Sequence, residues 1–108
     1  MTSAQLHSLK KIELVLEGAH RDFATDLLER AGVKGYTVLG GVSGKGSHGL
    51  YPSHLMFNED DVLIMVVVVV PEELVAPILE GLTPFFDQHP GVMFVSDVQV
   101  SRLTKFTG

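Results

Sequence analysis

Nine consecutive apolar residues, Val62 to Val70, constrain this chain more than any other stretch. Only Leu63 and Met65 among them are not β-branched, and Pro71 closes the run. β-Branched side chains lose freedom in a helix and pack well on a pleated surface. An apolar run without alternation has no polar face to offer water, so it reads as a strand lying centrally in a sheet. It is about half the length of a membrane-spanning helix. Such a strand must be covered on both faces. Helices can cover one; the other needs a partner chain.

The flanking sequence supplies the rest of the sheet. Met1 to Ser8 reads as a polar lead-in, and Lys11 to Leu16 as a first strand. Ala19 to Ala31 places Phe23, Leu27, Leu28 and Ala31 on one helical face, and Gly32 stops that helix. Gly35 to Val42 reads as a second strand, with Tyr36, Val38 and Gly40 on one side and Thr37, Leu39 and Gly41 on the other. Pro71-Glu72-Glu73 opens a second helix, with proline in the first turn and acids at the positive end of the dipole. Its buried stripe is Leu74, Ile78, Leu82, Phe85 and Phe86, while Pro77 and Pro84 predict a kink or a 3₁₀ segment. His89-Pro90-Gly91 reads as a turn and Met93 to Ser101 as the last strand. The order is βαββαβ. With right-handed crossovers it predicts an α+β, ferredoxin-like antiparallel sandwich, both helices on one face, in a single domain over residues 1–108.

Composition narrows the function classes. An apolar content of 45% and a mean hydropathy of +0.28 leave apolar surface to hide, which favours an oligomer. The formal charge of −5 argues against nucleic acid, whose phosphates demand a basic face. With no cysteine there is neither a disulfide nor thiolate chemistry. No apolar core of a signal peptide precedes Lys11 and no run is long enough to span a membrane, so the expected location is the cytoplasm.

One stretch looks suited to chemistry. Gly40 to Gly49 holds five glycines, Ser43, Ser47, Lys45 and His48, between two strands. Glycines let backbone N–H groups converge on an anion, and Lys45 adds a point charge. A P-loop is excluded, because Leu39 stands where the first glycine is required and Gly46 follows Lys45. A backbone nest for one or two phosphates or a small oxyanion remains; a hairpin loop with a solvated lysine fits the same composition. Ser43 to Asp61 has no sustained period, and loops of that length in small domains are usually functional. The five histidines, His7, His20, His48, His54 and His89, lack metal-site spacing. His48 lies beside the nest as an anion donor. Glu59-Asp60-Asp61 suits magnesium, or a gatekeeper role for the apolar strand behind it. Arg102 and Lys105 reach a phosphate or decorate the chain end. No nucleophile has an oriented base, which argues against an enzyme.

Taken in order, these segments resemble the PII signalling superfamily, in particular its carboxysome-associated PII-like branch, with bicarbonate-transporter-associated PII-like proteins as relatives. The resemblance runs from about Lys10 to Val100. It rests on Lys11-Ile12-Glu13, Gly35-Tyr36-Thr37-Val38, Val70-Pro71-Glu72-Glu73 and Phe94-Val95-Ser96-Asp97-Val98. Ser43-Gly44-Lys45-Gly46-Ser47 is similar to the PII-like branch rather than to nitrogen-signalling PII. The resemblance implies a homotrimer binding adenine nucleotide in clefts between subunits, with residues 43–61 as a ligand-sensitive switch loop. It places Thr37 near base and ribose, the Val69 backbone against adenine, and Gly44, Lys45 and Gly46 at the base of the loop. Gly91 matches a glycine of the phosphate-wrapping loop, and Lys105 one of two basic residues near the phosphates. Arg102 is offset from the other.

The departures carry their own expectations. Val92 replaces the lysine after the matching glycine, and Leu103 aligns with the second basic position. Two lost cations remove charge-assisted phosphate contacts, so ADP or AMP is expected over ATP. Gly46 and Ser47 replace the glutamine region used with magnesium and 2-oxoglutarate, and Tyr51 lies outside the context of the modified loop tyrosine. The branch implies bicarbonate as second ligand, for which Lys45, Ser47 and His48 are the candidate donors. The expected function is a non-enzymatic sensor of adenylates and bicarbonate, without a metal cofactor. It would act on an inorganic-carbon transporter or a carboxysome-linked protein. Three alternatives stand beside it: a cyclic-AMP or AMP sensor on a bicarbonate transporter, a metal-binding trimer using His48, His54 and Glu59 to Asp61, and a small hydrolase.

Overall fold

The apolar run forms the expected central strand. In the computed structural model, which describes residues 5–43, 62–103 and 106, it becomes β3 (Leu63–Val70), flanked by β2 (Thr37–Val42) and β1 (His7–Glu17). β4 (Gly91–Val100) completes one antiparallel sheet in the order β2-β3-β1-β4. Helices α1 (Arg21–Arg30) and α2 (Val75–Gln88) follow 3₁₀ turns at Gly18–His20 and Glu72–Leu74. This is the α+β, ferredoxin-like βαββαβ topology.

Alternation decides which face each strand residue serves. Ile12, Leu14 and Leu16 of β1 and Ile64, Val66, Val68 and Val70 of β3 are buried under the helices. Ala24 and Leu28 from α1, with Ile78, Leu82 and Phe85 from α2, complete that core. The alternate residues Met65, Val67 and Val69 are only half-buried, on the face that neither α1 nor α2 covers. Leu39 (48% exposed) and Phe94 (52%) widen this open apolar face, as the run in β3 led one to expect.

Several boundaries differ from the sequence expectation. β1 starts at His7, inside the expected polar lead-in, because its ladder with β4 continues to His7↔Val100 and pairs the backbone whatever the side chains. Likewise Gly91 is the first residue of β4, opposite Leu16, rather than the end of a turn, whereas β2 begins at Thr37 instead of Gly35. Ala19 belongs to a 3₁₀ turn, tied to the sheet by a Gly18 N–H donating to Val62 O at 2.7 Å. α1 buries Ala24, Thr25 and Leu28, while Phe23 stays 42% exposed, stacked on Phe85 at 4.7 Å.

The helix ends follow local chemistry. Gly32, at φ +92°, donates to Glu29 O at 3.1 Å, and Val33 donates to Leu28 O at 3.2 Å. That pair of bonds is a Schellman cap, which needs a left-handed residue. No 3₁₀ segment occurs at Pro77 or Pro84, both of which lie within α2; the 3₁₀ turn falls earlier, at Glu72–Leu74. A register shift between Leu39 and Val42, with Gly41 at φ +67°, bulges β2 just before the long connection to β3.

Candidate functional site

Register sets the level of each expected site residue along β1. Thr37 pairs with Val67, and Val69 pairs with Lys11, so Thr37 and Val69 are near neighbours on the open face. Arg102 follows the end of β4, whose Val100 pairs with His7. It is exposed and lines a shallow cavity of about 450 Å³ with Gln99, Val100, Ser101 and Phe106. Measured along β1, Thr37 lies level with Glu13 and Val69 level with Lys11, both mid-sheet, while Arg102 lies beyond the His7 end. Gly91 pairs with Leu16 and belongs to the other end. From Lys11 to Leu16 is about 17 Å at roughly 3.4 Å per residue, so no single subunit brings Gly91 and Val69 together.

Gly91 also has a packing reason to be glycine. A Cβ there would lie 2.6 Å from Phe86 Cε1 and 3.1 Å from the Val15 carbonyl oxygen. Gly44, Lys45, Gly46, Ser47, His48 and Lys105 lie outside the described residues, as do His54 and Glu59 to Asp61 of the metal alternative. Among the described residues no three potential metal ligands cluster.

The structure adds a charged group that sequence reasoning missed. Lys10 and Asp97 are register partners across β1 and β4, and the Lys10 ammonium donates to an Asp97 carboxylate oxygen. They line a cleft of about 620 Å³ with Glu72, toward the same end as Arg102. The hydrogen bond to Asp97 raises the Lys10 pKa above the ordinary lysine value; burial opposes this, and the charges of Asp97 and Glu72 add to it. Only a known register could have linked residues so distant in sequence. Nearby, the Tyr36 hydroxyl donates to Glu29 Oε1 at 3.3 Å and ties the approach to β2 onto α1.

A four-stranded antiparallel sheet with α1 and α2 on one face, and with Leu39, Met65, Val67 and Phe94 on the other, defines a small α+β sandwich of the ferredoxin-like class. The chain belongs to the nitrogen regulatory protein P-II family, whose model matches residues 9–105. It is similar to CPII, a nitrogen regulatory PII-like protein from Thiomonas intermedia K12, in several solved structures. One, bound to ADP, AMP and bicarbonate, is 65% identical, covers 96% of this chain and 98% of that chain, and superposes with a TM-score of 0.82. Another, bound to ADP, AMP and acetate, is 63% identical over 94% and 97% of the two chains, with a TM-score of 0.84. The apo form is 61% identical over 91% and 97%, with a TM-score of 0.80. None of the curated proteins compared with the chain matches it. Among the described residues no helix is long and apolar enough to cross a membrane.

Proposed function

We propose that this protein is a non-enzymatic PII-like signalling protein of the cytoplasm. It assembles as a homotrimer, binds ADP or AMP in the clefts between subunits and senses bicarbonate. The observation that carries this reading is its 65% identity to a CPII that holds ADP, AMP and bicarbonate. The fold supports it. Val69 and Gly91 lie on different strands and five β1 residues apart in register, so one nucleotide can meet both when they come from adjacent copies. The open face formed by Leu39, Met65, Val67 and Phe94 offers those copies an apolar surface to bury.

In this reading Gly44, Lys45, Gly46 and Lys105 join the nucleotide contacts, and Lys45, Ser47 and His48 take bicarbonate. Coupling between the ligands follows if both order the segment 43–61, because the first then removes an ordering cost from the second. The signal passes to an inorganic-carbon transporter or a carboxysome-linked protein. Val92 and Leu103, each 38% exposed, bring no charge where the family expects cations, which disfavours a third phosphate. Calorimetry tests the reading: ADP or AMP binds more tightly than ATP, and bicarbonate strengthens that binding. A marked preference for ATP, or indifference to bicarbonate, overturns it.

A further inference from the structure

The two helices leave a groove between them on the outer side of the molecule. Phe23, Leu27 and the capping Ala31 of α1 and Pro77 of α2 supply its apolar surface, with Asp26 and Arg30 beside them, around a cavity of about 330 Å³. The helices come close here: a Cβ on Gly81, one turn along α2 from Pro77, would lie 2.8 Å from Leu27 Cδ1. Phe23 is stacked on Phe85 at 4.7 Å, which fixes its ring, yet it stays 42% exposed. A large apolar ring held in one orientation and left in water has the character of an anchor in a protein contact.

Charge decides what the groove accepts. From Glu72 to Gln88 the chain carries Glu72, Glu73, Glu80 and Asp87 and no lysine or arginine. α1 adds Asp22, Asp26 and Glu29 against Arg21 and Arg30. All of these side chains are exposed, and together they account for the chain's formal charge of −5. Asp26 and Arg30 stand one turn apart, but among the described residues neither is ion-paired, so both stay open to a partner. An acidic layer repels nucleic acid and anionic lipid. It also repels a second copy of itself, whose helices carry the same charge. What it attracts is a basic polypeptide.

We propose that the groove between α1 and α2 docks a basic amphipathic helix of a partner protein. The guest's apolar side chains, one turn apart, lie on Phe23, Leu27 and Pro77, while its lysines or arginines face Asp26 and the acids around it. Arg30, with Lys34 in the turn beyond it, keeps those cations away from the Ala31 end and so sets the guest's direction. The inference goes beyond the ligand reading and needs neither nucleotide nor bicarbonate. The helices lie across the sheet from Leu39, Met65, Val67 and Phe94, so an assembly through that face leaves the groove open.

The test is selection on the immobilised full chain from a phage library of random peptides of about 16 residues, enough for four helical turns. Fluorescence polarisation then measures the enriched peptides. They should carry lysine or arginine flanking apolar residues at i, i+4 and i+7, and should bind Asp26→Lys about threefold to tenfold more weakly than wild type. Phe23→Ala should weaken them about tenfold or more. Asp26 is exposed, so its reversal leaves the fold intact, and circular dichroism verifies Phe23→Ala, whose ring packs on Phe85. Raising salt from about 0.05 M to about 0.5 M should weaken binding as well. Acidic or uncharged winners, no enrichment, or equal affinity for wild type and both variants overturns the inference. So does sedimentation in which Asp26→Lys breaks up the wild-type assembly, because the groove is then an interface between copies. None of these results touches the adenylate reading, which calorimetry with ADP decides separately.

Discussion

Gly91→Ala separates the packing role of this glycine from its expected place beside a phosphate. A Cβ built there meets Phe86 Cε1 at 2.6 Å, Phe86 Cδ1 at 3.0 Å and the Val15 carbonyl oxygen at 3.1 Å. Favourable carbon contact begins near ~3.5 Å, so the ring must retreat by roughly 1 Å from a site it already fills. Overpacking of this kind costs about 1–3 kcal/mol. At φ +159° the backbone gives alanine no compensating entropic gain. The net expectation is a loss of about 1–3 kcal/mol, or roughly 5–20 °C in Tm for a domain of this size. Urea unfolding at one fixed protein concentration measures it, since assembly couples stability to concentration. Phe86→Ala removes the obstructing ring, so adding Gly91→Ala to that background should cost little. The double-mutant cycle should then show a coupling of about 1–3 kcal/mol. Equal penalties in both backgrounds, or no penalty in either, would refute the packing argument.

Gly32→Ala meets no atom within 4 Å yet must adopt φ +92°, so urea unfolding should show a loss of about 1 kcal/mol from backbone strain; an unchanged midpoint sinks the Schellman assignment. Asp97→Asn removes the partner that raises the Lys10 pKa. The ion pair's contribution is fully present below the ordinary lysine value of 10.5 and fades as pH rises through the higher folded value, so wild type and variant should converge in strong alkali. A stability difference that persists there counts against the pair. Phe94→Lys puts a charge on the open face, where Phe94 is 52% exposed, and sedimentation should show smaller species with unchanged circular dichroism; an undisturbed assembly shows that this face is not the interface.

The candidate site was legible only in part. Thr37 and Val69 could be placed on strands from local pattern, and both are there. Their division from Gly91 was not visible, because it depends on the register of β1 against β3 and β4. Gly91 read as a turn residue because proline and glycine are turn signals, and nothing nearby in sequence announces the Phe86 ring beside it. The Lys10–Asp97 pair and the close approach of Gly81 to Leu27 were hidden for the same reason. Each joins residues that only the fold brings close.

What this sequence determines by itself are properties set within a few residues. An unbroken β-branched run makes β3 a central strand, helical spacing marks the buried stripe of α2, and Gly32 ends α1. The free energies behind them come from rotamer freedom, backbone strain and one-sided burial, all local terms. The tertiary structure decided the strand order β2-β3-β1-β4, the start of β1 at His7 and the separation of Val69 from Gly91 along β1. Those depend on many weak pairings between distant segments, and a shift by one residue would turn every side chain of a strand to the opposite face.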